Sequence, residues 1–169
     1  SASLRSASRI MEIFSDHFNL SLLEFSTPAW STGRLWLMRL GYYKLNAEKE
    51  KADDWIWIVD HSIQIGEEKC LVILGIRLCN LPTGRALRYD DVEPIEMIPI
   101  KKSNGEIVYN QFEDTKNKTG IPRAIISDYG SDIKLGAEKF CAAHEETCFI
   151  YDVKHKMSSL LKRELTKDS

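Results

Sequence analysis

Apolar residues recur at helical spacing in the first part of the chain and at strand spacing after it. One helical stripe is formed by Ile10, Ile13, Phe14 and Phe18. Pro28 interrupts the pattern, and a second helix is expected after it, with Ser31 or Thr32 as its N-cap. The first part is therefore predicted to be helical and to pack on the rest of the chain.

A charged segment separates the two patterns. Six of the nine residues at positions 46–54 are acidic or basic, which is typical of a solvated boundary. We expect a helical leader over residues 1–50 and a main domain over residues 51–169.

The main domain begins with three apolar runs typical of strands. Trp55–Ile65 is rich in β-branched and aromatic residues, residues 70–78 are nearly all apolar, and residues 92–100 alternate. The connections are a short turn at Gly66 and a longer loop around residues 82–84. Consecutive strands joined in this way predict an antiparallel meander.

Helices and strands alternate through the remainder of the chain. Ser103 and Glu106 have the spacing of a capping box, which opens a helix that ends near Gly120. A short strand follows at residues 124–126, and a strand at residues 148–151 leads into a terminal helix. The helix between these strands has an apolar stripe formed by Ile133, Ala137, Phe140 and Cys141.

This element order predicts the fold class. Three antiparallel strands, continued by two strands that alternate with helices, indicate an α/β fold with a mixed five-stranded sheet and helices on both faces. The chain has 169 residues, of which 43% are hydrophobic, so it can bury one substantial core. We expect the four tryptophans in that core: Trp30, Trp36, Trp55 and Trp57.

Composition narrows the classes of function. The formal net charge is −2, whereas dedicated nucleic-acid-binding domains usually carry a basic excess; separate domains can nevertheless supply DNA affinity to an acidic catalytic core. No apolar stretch is long enough to span a membrane, and the first residues lack the pattern of a signal peptide. The four cysteines form no C-x-x-C pair. We therefore expect a soluble intracellular protein without structural zinc or a disulfide framework.

Asp60 interrupts the apolar strand Trp55–Ile65. Burial of an unpaired carboxylate is costly, so a cation or strong hydrogen-bond donors are expected beside it. The alternative is a strand-end aspartate bonded to a neighbouring backbone group or an arginine.

Asp128 stands just after the strand at residues 124–126, where the chain turns into a helix. Loops beyond strand ends are favoured sites for chemistry in sheets with crossover helices. Asp128 and Gly130 also have the spacing of a common turn, so a purely local role is the alternative.

Glu164 is a third candidate because of its phase on the terminal helix. It falls on a stripe expected to face the sheet, although a position at the edge of that stripe is the alternative. Three inward carboxylates on two strands and a helix suit Mg²⁺, which prefers oxygen ligands and keeps several waters and substrate phosphates. The other members of the stripe are Met157, Leu160, Leu161 and Leu165.

These carboxylates resemble those of the DDE transposase and retroviral integrase superfamily, which has a ribonuclease-H-like fold. Its first aspartate lies on the first strand, its second just after the fourth strand and its glutamate on a later helix, as Asp60, Asp128 and Glu164 do here. Residues 126–131, Ile-Ser-Asp-Tyr-Gly-Ser, resemble the Ser-Asp-x-Gly-Ser stretch of many insertion-sequence transposases. Between Asp128 and Glu164 lie 35 residues, the spacing that names the D,D(35)E subgroup. The resemblance spans residues 55–166.

The resemblance implies a metal-dependent polynucleotidyl transferase. Asp60 and Asp128 would bridge two Mg²⁺ or Mn²⁺ ions and Glu164 would complete one coordination sphere. Water would cut a phosphodiester at a transposon end, and the freed 3′-hydroxyl would then attack target DNA. The implied partners are DNA and, in the full-length protein, further copies of the chain, with no membrane, in the bacterial cytoplasm or nucleoid.

Alternative interpretations of the function stay open. One is a nuclease of the same fold that performs no strand transfer. Another is an inactive core that serves as a DNA-binding or protein-binding scaffold. The main domain could also be truncated at its C-terminus, soon after Glu164, so that a later acidic ligand is missing and the fragment is inactive.

The position of the glutamate departs from the family pattern. In the better-known members it lies near the start of its helix, whereas Glu164 comes about two turns after His155. Asp152, at the end of the fifth strand, is the rival third ligand; its alternative role is the N-cap of the final helix. Tyr129 and His61, each beside a candidate ligand, are expected to have supporting structural roles, and contact with the substrate backbone is the alternative. Candidates for phosphate contact, or alternatively for solvated helix and loop surface, are Lys101, Lys102, Lys154, His155, Lys156, Lys162 and Arg163.

Overall fold

The structure is a computed structural model that describes residues 3–18, 27–65, 68–128, 130–153, 157–158 and 160–161. The chain divides into two compact units, Ser1–Lys44 and Leu45–Ser169. The assignment of a leader and a catalytic core, with a boundary at residue 50, stays a prediction.

Both helices predicted for the first part of the chain are present. Helix α1 is Leu4–His17 and helix α2 is Trp30–Asn46. Because α2 begins at Trp30, the predicted caps Ser31 and Thr32 lie inside it, and that prediction is wrong. Among the described residues, no helix is long and apolar enough to cross a membrane.

The second unit contains one five-stranded sheet, whose strands follow the order β3-β2-β1-β4-β5. Strand β2 runs antiparallel to β1 and β3, whereas β4 is parallel to both β1 and β5. The predicted α/β fold with a mixed five-stranded sheet is therefore confirmed. Its elements are β1 Trp55–Ile65, β2 Glu68–Arg77, β3 Glu93–Ile100, α3 Gly105–Thr119, β4 Ala124–Ser127, α4 Ser131–Ala143 and β5 Cys148–Tyr151.

Helices α3 and α4 cover one face of this sheet. The rings of Trp57, Phe112 and Phe140 meet there with centroid separations of 5.7–5.9 Å. Trp55 and Trp57 are buried as predicted, but Trp30 and Trp36 are 40% and 53% exposed, so they are not core residues. The core cluster consists of Trp55, Trp57, Val59, Leu71, Ile73, Ile95, Ile100, Val108, Phe112, Ile125, Ile133, Ala137 and Phe140.

The opposite face of the sheet carries the alternate residues of the same strands. Ile56, Ile58, Leu74 and Ile126 are half-buried there. A helix on this face is predicted for the residues after β5, most of which lie outside the described part of the chain. Three described members of its expected inward stripe are exposed, so their predicted burial is wrong: Met157, Leu160 and Leu161.

Candidate active site

Three aspartates stand in register at one edge of the sheet. The parallel pairing aligns Val59 of β1 with Ser127 of β4, and Ser127 with Tyr151 of β5. Neighbouring strands in a sheet lie about 4.8 Å apart, so the pairing itself brings the next residues of the three strands together. Those next residues are Asp60, Asp128 and Asp152.

The three aspartates line one pocket of about 150 Å³, which we call the aspartate pocket. Its other walls come from residues of β1 and β4 at the end of the pairing between these two strands. These are Ile58, Val59, Ile126 and Ser127.

Asp60 is exposed rather than buried, so the expectation of an inward carboxylate is wrong for this residue. Strand alternation explains the difference. Trp57 and Val59 point to the face covered by α3 and α4, which places Asp60 on the opposite face. Its carboxylate keeps contact with solvent and does not incur the desolvation cost that sequence reasoning assigned to it.

Asp128 has the local turn contact that its sequence suggested. Its Oδ1 accepts a hydrogen bond of 3.0 Å from the backbone N–H of Gly130, the residue that precedes α4. The half-buried carboxylate is thereby held at the end of β4. This contact engages Oδ1, so a turn role and a ligand role for Oδ2 are compatible.

Asp152 follows β5 directly and is half-buried. Its backbone N–H donates to the carbonyl of Ser127 at 2.9 Å, which continues the pairing of β4 and β5 past the end of β5. This bond holds the backbone of Asp152 beside the residue that precedes Asp128.

The chemistry of these side chains fits a hard divalent cation. Carboxylate oxygens are the ligands that Mg²⁺ prefers, and Mg²⁺ commonly uses one or two of them together with water and substrate phosphates. In the described part of the chain, no group of three or more His, Cys, Asp or Glu side chains is placed so that it could hold a metal ion. The aspartate pocket therefore gathers carboxylates of suitable chemistry, but the structure does not arrange three of them around one metal position.

A second polar cluster lies behind the pocket, on the covered face of the sheet. The Nε2 of His61 lies 3.2 Å from the Oγ of Ser103 and 3.4 Å from the Oδ2 of Asp132. His61 therefore contacts two polar side chains on this face, and its predicted role stays a prediction. Ser103 was expected to cap α3, but that prediction is wrong: Asn104 is the N-cap, and its side chain accepts from the N–H of Ile107 at 2.9 Å.

Asp132 is held as a charged carboxylate. Burial acts to raise its pKa, but hydrogen bonds from the Ser103 hydroxyl and the Ile133 backbone, together with the nearby His61, outweigh burial and lower the pKa below its usual value. Sequence reasoning missed this residue. The only sequence signal is its position four residues after Asp128, in the first turn of the predicted helix.

Of the other predicted site residues, some are described by the structure and others lie outside the described residues. Lys101 and Lys102 are exposed just after β3, an outer strand of the sheet, and lie beyond Met97, the residue of β3 that is level with Asp60 across β2. The remaining candidates, and Tyr129, lie outside the described residues, so their predicted roles stay predictions: Lys154, His155, Lys156, Lys162, Arg163 and Glu164.

Comparisons with known proteins give structural similarities only. No family model matches the chain, and no curated protein sequence matches it. The chain is similar to the catalytic core domain of HTLV-2 integrase in complex with magnesium, in a trimeric form with a TM-score of 0.41 and a dimeric form with a TM-score of 0.40. In both, the identity is 15%, and the match covers 70% of this chain and 73% of the other.

A third similar structure is a simian T-cell lymphotropic virus intasome in complex with the PP2A regulatory subunit B56 gamma. The TM-score is 0.42 and the identity 11%, with 72% of this chain and 40% of the other covered.

Proposed function

We propose that this chain is the catalytic core of a DNA transposase or integrase, which cuts phosphodiesters and joins DNA strands with the help of divalent metal ions. The observation that supports it most is the register of Asp60, Asp128 and Asp152 across three neighbouring strands. Carboxylates that line one pocket from three neighbouring strands suit chemistry on a phosphodiester better than they suit a structural role.

Asp60 and Asp128 are the residues that would hold two Mg²⁺ or Mn²⁺ ions. The third ligand would be Asp152 or Glu164. The register favours Asp152, whereas the family resemblance favours Glu164. When bound, the ions would make water or a 3′-hydroxyl a better nucleophile and would stabilise the leaving oxygen of an in-line displacement.

The residues of the chain position the candidate metal ligands and leave space for the DNA substrate. The Gly130 N–H restrains one oxygen of Asp128, and the exposed side of Asp60 leaves room for a phosphodiester to approach. The carboxylates act as ligands rather than as nucleophiles, so no covalent protein–DNA intermediate is expected. Lys101 and Lys102 are exposed cations after β3 and would contact phosphates of transposon ends or target DNA at a distance from the aspartate pocket.

Calorimetric titration with Mn²⁺ tests the metal site. We expect the wild-type chain to bind Mn²⁺, and Asp60→Asn and Asp128→Asn each to lose binding while keeping the wild-type circular dichroism spectrum. Comparison of Asp152→Asn with Glu164→Gln identifies the third ligand. Asp53→Asn is the matched control, because Asp53 is an exposed aspartate before the first residue of the same strand.

Product analysis tests the reaction. Labelled duplexes that carry the ends of candidate elements, either intact or already cut to expose a 3′-hydroxyl, should yield cleaved and joined products in Mn²⁺. Cleavage without joining would instead favour a nuclease of the same fold. A folded wild-type chain that neither binds Mn²⁺ nor cuts DNA would refute the proposal and favour a scaffold.

A further inference from the structure

The cluster of His61, Ser103 and Asp132 joins three segments that surround the aspartate pocket. His61 follows Asp60 on β1, and Ser103 lies between β3 and α3. Asp132 belongs to the first turn of α4. The Nε2 of His61 is the common contact, 3.2 Å from the Ser103 Oγ and 3.4 Å from the Asp132 Oδ2.

Both oxygens approach the same nitrogen of His61, and this decides the chemistry of the cluster. A nucleophilic serine relay needs the serine on one imidazole nitrogen and the carboxylate on the other. Here the imidazole joins the two groups through Nε2 alone, so the cluster suits a structural tie rather than nucleophilic catalysis.

The cluster of His61, Ser103 and Asp132 lies next to the point where strand pairing stops fixing the distance between Asp60 and Asp128. The paired register of β1 and β4 ends at Val59 and Ser127, one residue before Asp60 and Asp128. Beyond that point the chain of β4 turns through Gly130 into α4. A Cβ atom built on Gly130 would lie 3.4 Å from the Oδ1 atoms of both Asp128 and Asp132, so these two carboxylates flank one glycine.

We infer that His61, Ser103 and Asp132 are positioning residues, which fix the turn that carries Asp128 against the part of β1 that carries Asp60. The inference rests on the proposed function, because the spacing of these two aspartates matters only if they hold metal together. Asp132 suits the task because both of its oxygens are engaged: Oδ1 accepts from the Ile133 N–H at 3.0 Å, and Oδ2 faces His61. The side chains of His61 and Asp132 are only 14% and 21% exposed, so solvent competes little for their contact.

The chain contains a matched control for this cluster. The Nε2 of His144 lies 2.8 Å from the Oε1 of Glu113, with side-chain exposures of 15% and 26%. This second pair joins Glu113 of α3 to His144, the residue that follows α4, at the opposite end of that helix from Asp132. Loss of either histidine should lower stability, whereas only loss of His61 should disturb the aspartates.

Mn²⁺ titration of four variants of the full chain tests the inference. We expect His61→Ala and Ser103→Ala to raise the Kd for Mn²⁺ by about tenfold or more, as is usual when a group that orients a metal ligand is lost. We expect His61→Gln, which keeps a side-chain nitrogen, to recover part of the affinity. His144→Ala should leave the Kd within about twofold of wild type even where it lowers the melting temperature as much as His61→Ala.

Ser103→Ala removes only one hydroxyl group, so a higher Kd in this variant would not be explained by a loss of folding. Wild-type affinity in His61→Ala and Ser103→Ala would overturn the positioning role and leave the metal site intact. Equal losses in His61→Ala and His144→Ala would also overturn it, since the effect would then be one of general stability. A wild-type chain that binds no Mn²⁺ would overturn the proposed function and this inference together.

Discussion

Gly136 of α4 lies so close to Val108 of α3 that a Cβ atom built on the glycine would fall 2.6 Å from the Val108 Cγ1. Gly105 has the same property, since its Cβ would fall 2.5 Å from the Cβ of Leu135. Helices α3 and α4 therefore approach through two glycines. This close approach lets Phe112 and Phe140 meet edge to face above the sheet.

Gly136→Ala should destabilise the protein. Alanine is favoured over glycine inside a helix by about 1 kcal/mol, but here the added methyl group overpacks the interface, which typically costs about 1–3 kcal/mol. Gly41→Ala in α2 is the matched control, because nothing lies within 4 Å of its Cβ position, and it should be neutral or stabilising. Chemical denaturation measures both, and a stability gain in Gly136→Ala would contradict the close packing of the helices.

Two buried tryptophans on one strand should respond differently to the same substitution. The Trp55 Nε1 donates to the carbonyl of Glu50 at 2.8 Å, whereas the equally buried Trp57 Nε1 has no partner among the described residues. Both lose similar volume on change to phenylalanine. Trp55→Phe also loses a hydrogen bond, while Trp57→Phe removes an unpaired donor, so Trp55→Phe should be more destabilising by about 1 kcal/mol. Equal changes in the free energy of unfolding would contradict this difference.

The Arg85–Asp91 pair should make the loop between β2 and β3 sensitive to acid. Hydrogen bonds of 2.6 and 2.7 Å from Arg85, and one of 2.7 Å from the Arg88 backbone, lower the pKa of Asp91 from its ordinary 3.8 to about 2. Because the folded pKa is lowered, the stabilisation is present above the ordinary pKa and is lost as the pH falls through about 2.

An NMR titration of the Asp91 carboxyl carbon, with amide exchange across residues 85–92, checks this prediction. Asp91→Asn should loosen the loop at neutral pH and remove its acid dependence. Titration of Asp91 near its ordinary pKa would show that the pair does not persist in solution.

Metal should stabilise the folded chain if the aspartate pocket binds it. A ligand that binds only the folded state at about a hundred times its Kd adds about 2.7 kcal/mol to the free energy of unfolding. Thermal unfolding with and without Mn²⁺ should therefore show a higher melting temperature with metal, which a chelator reverses. Asp60→Asn should lose this increase and Asp53→Asn should keep it; an equal increase in both variants would point to binding elsewhere.

Local patterns predicted the fold because each of them agreed with its neighbours. Strand β1 has the predicted bounds, Trp55–Ile65, since its β-branched and aromatic run follows a charged segment. The order of strands and helices then predicted a single mixed five-stranded sheet. The stripe Ile133, Ala137 and Phe140 also identified the buried side of α4.

The errors arose where a residue's surroundings depend on distant parts of the chain. Sequence alone could not show that Asp60 faces the sheet side away from α3 and α4. Nor could it show that Ser103 turns towards His61 and leaves the capping of α3 to Asn104. Both outcomes depend on which strands pair and which helices pack on them.

The candidate site was only partly predictable for the same reason. The sequence singled out Asp60 and Asp128 by their strand positions, but it ranked Asp152 as a rival to Glu164. Only the register of β4 with β5 reveals that Asp152 stands in line with the other two. Their roles as metal ligands remain predictions.

The parallel pairing of β1 with β4 has a consequence for the order of folding. Strand β1 pairs with β2 through contacts that are local in sequence. Its pairing with β4 closes a long loop, because β2, β3 and α3 lie between β1 and β4 in the sequence. Closure of such a long loop is slow compared with formation of a hairpin. An intermediate that contains only the β1–β2–β3 meander would hold Asp60 without Asp128, so metal affinity during refolding should appear at the closing of β1 onto β4.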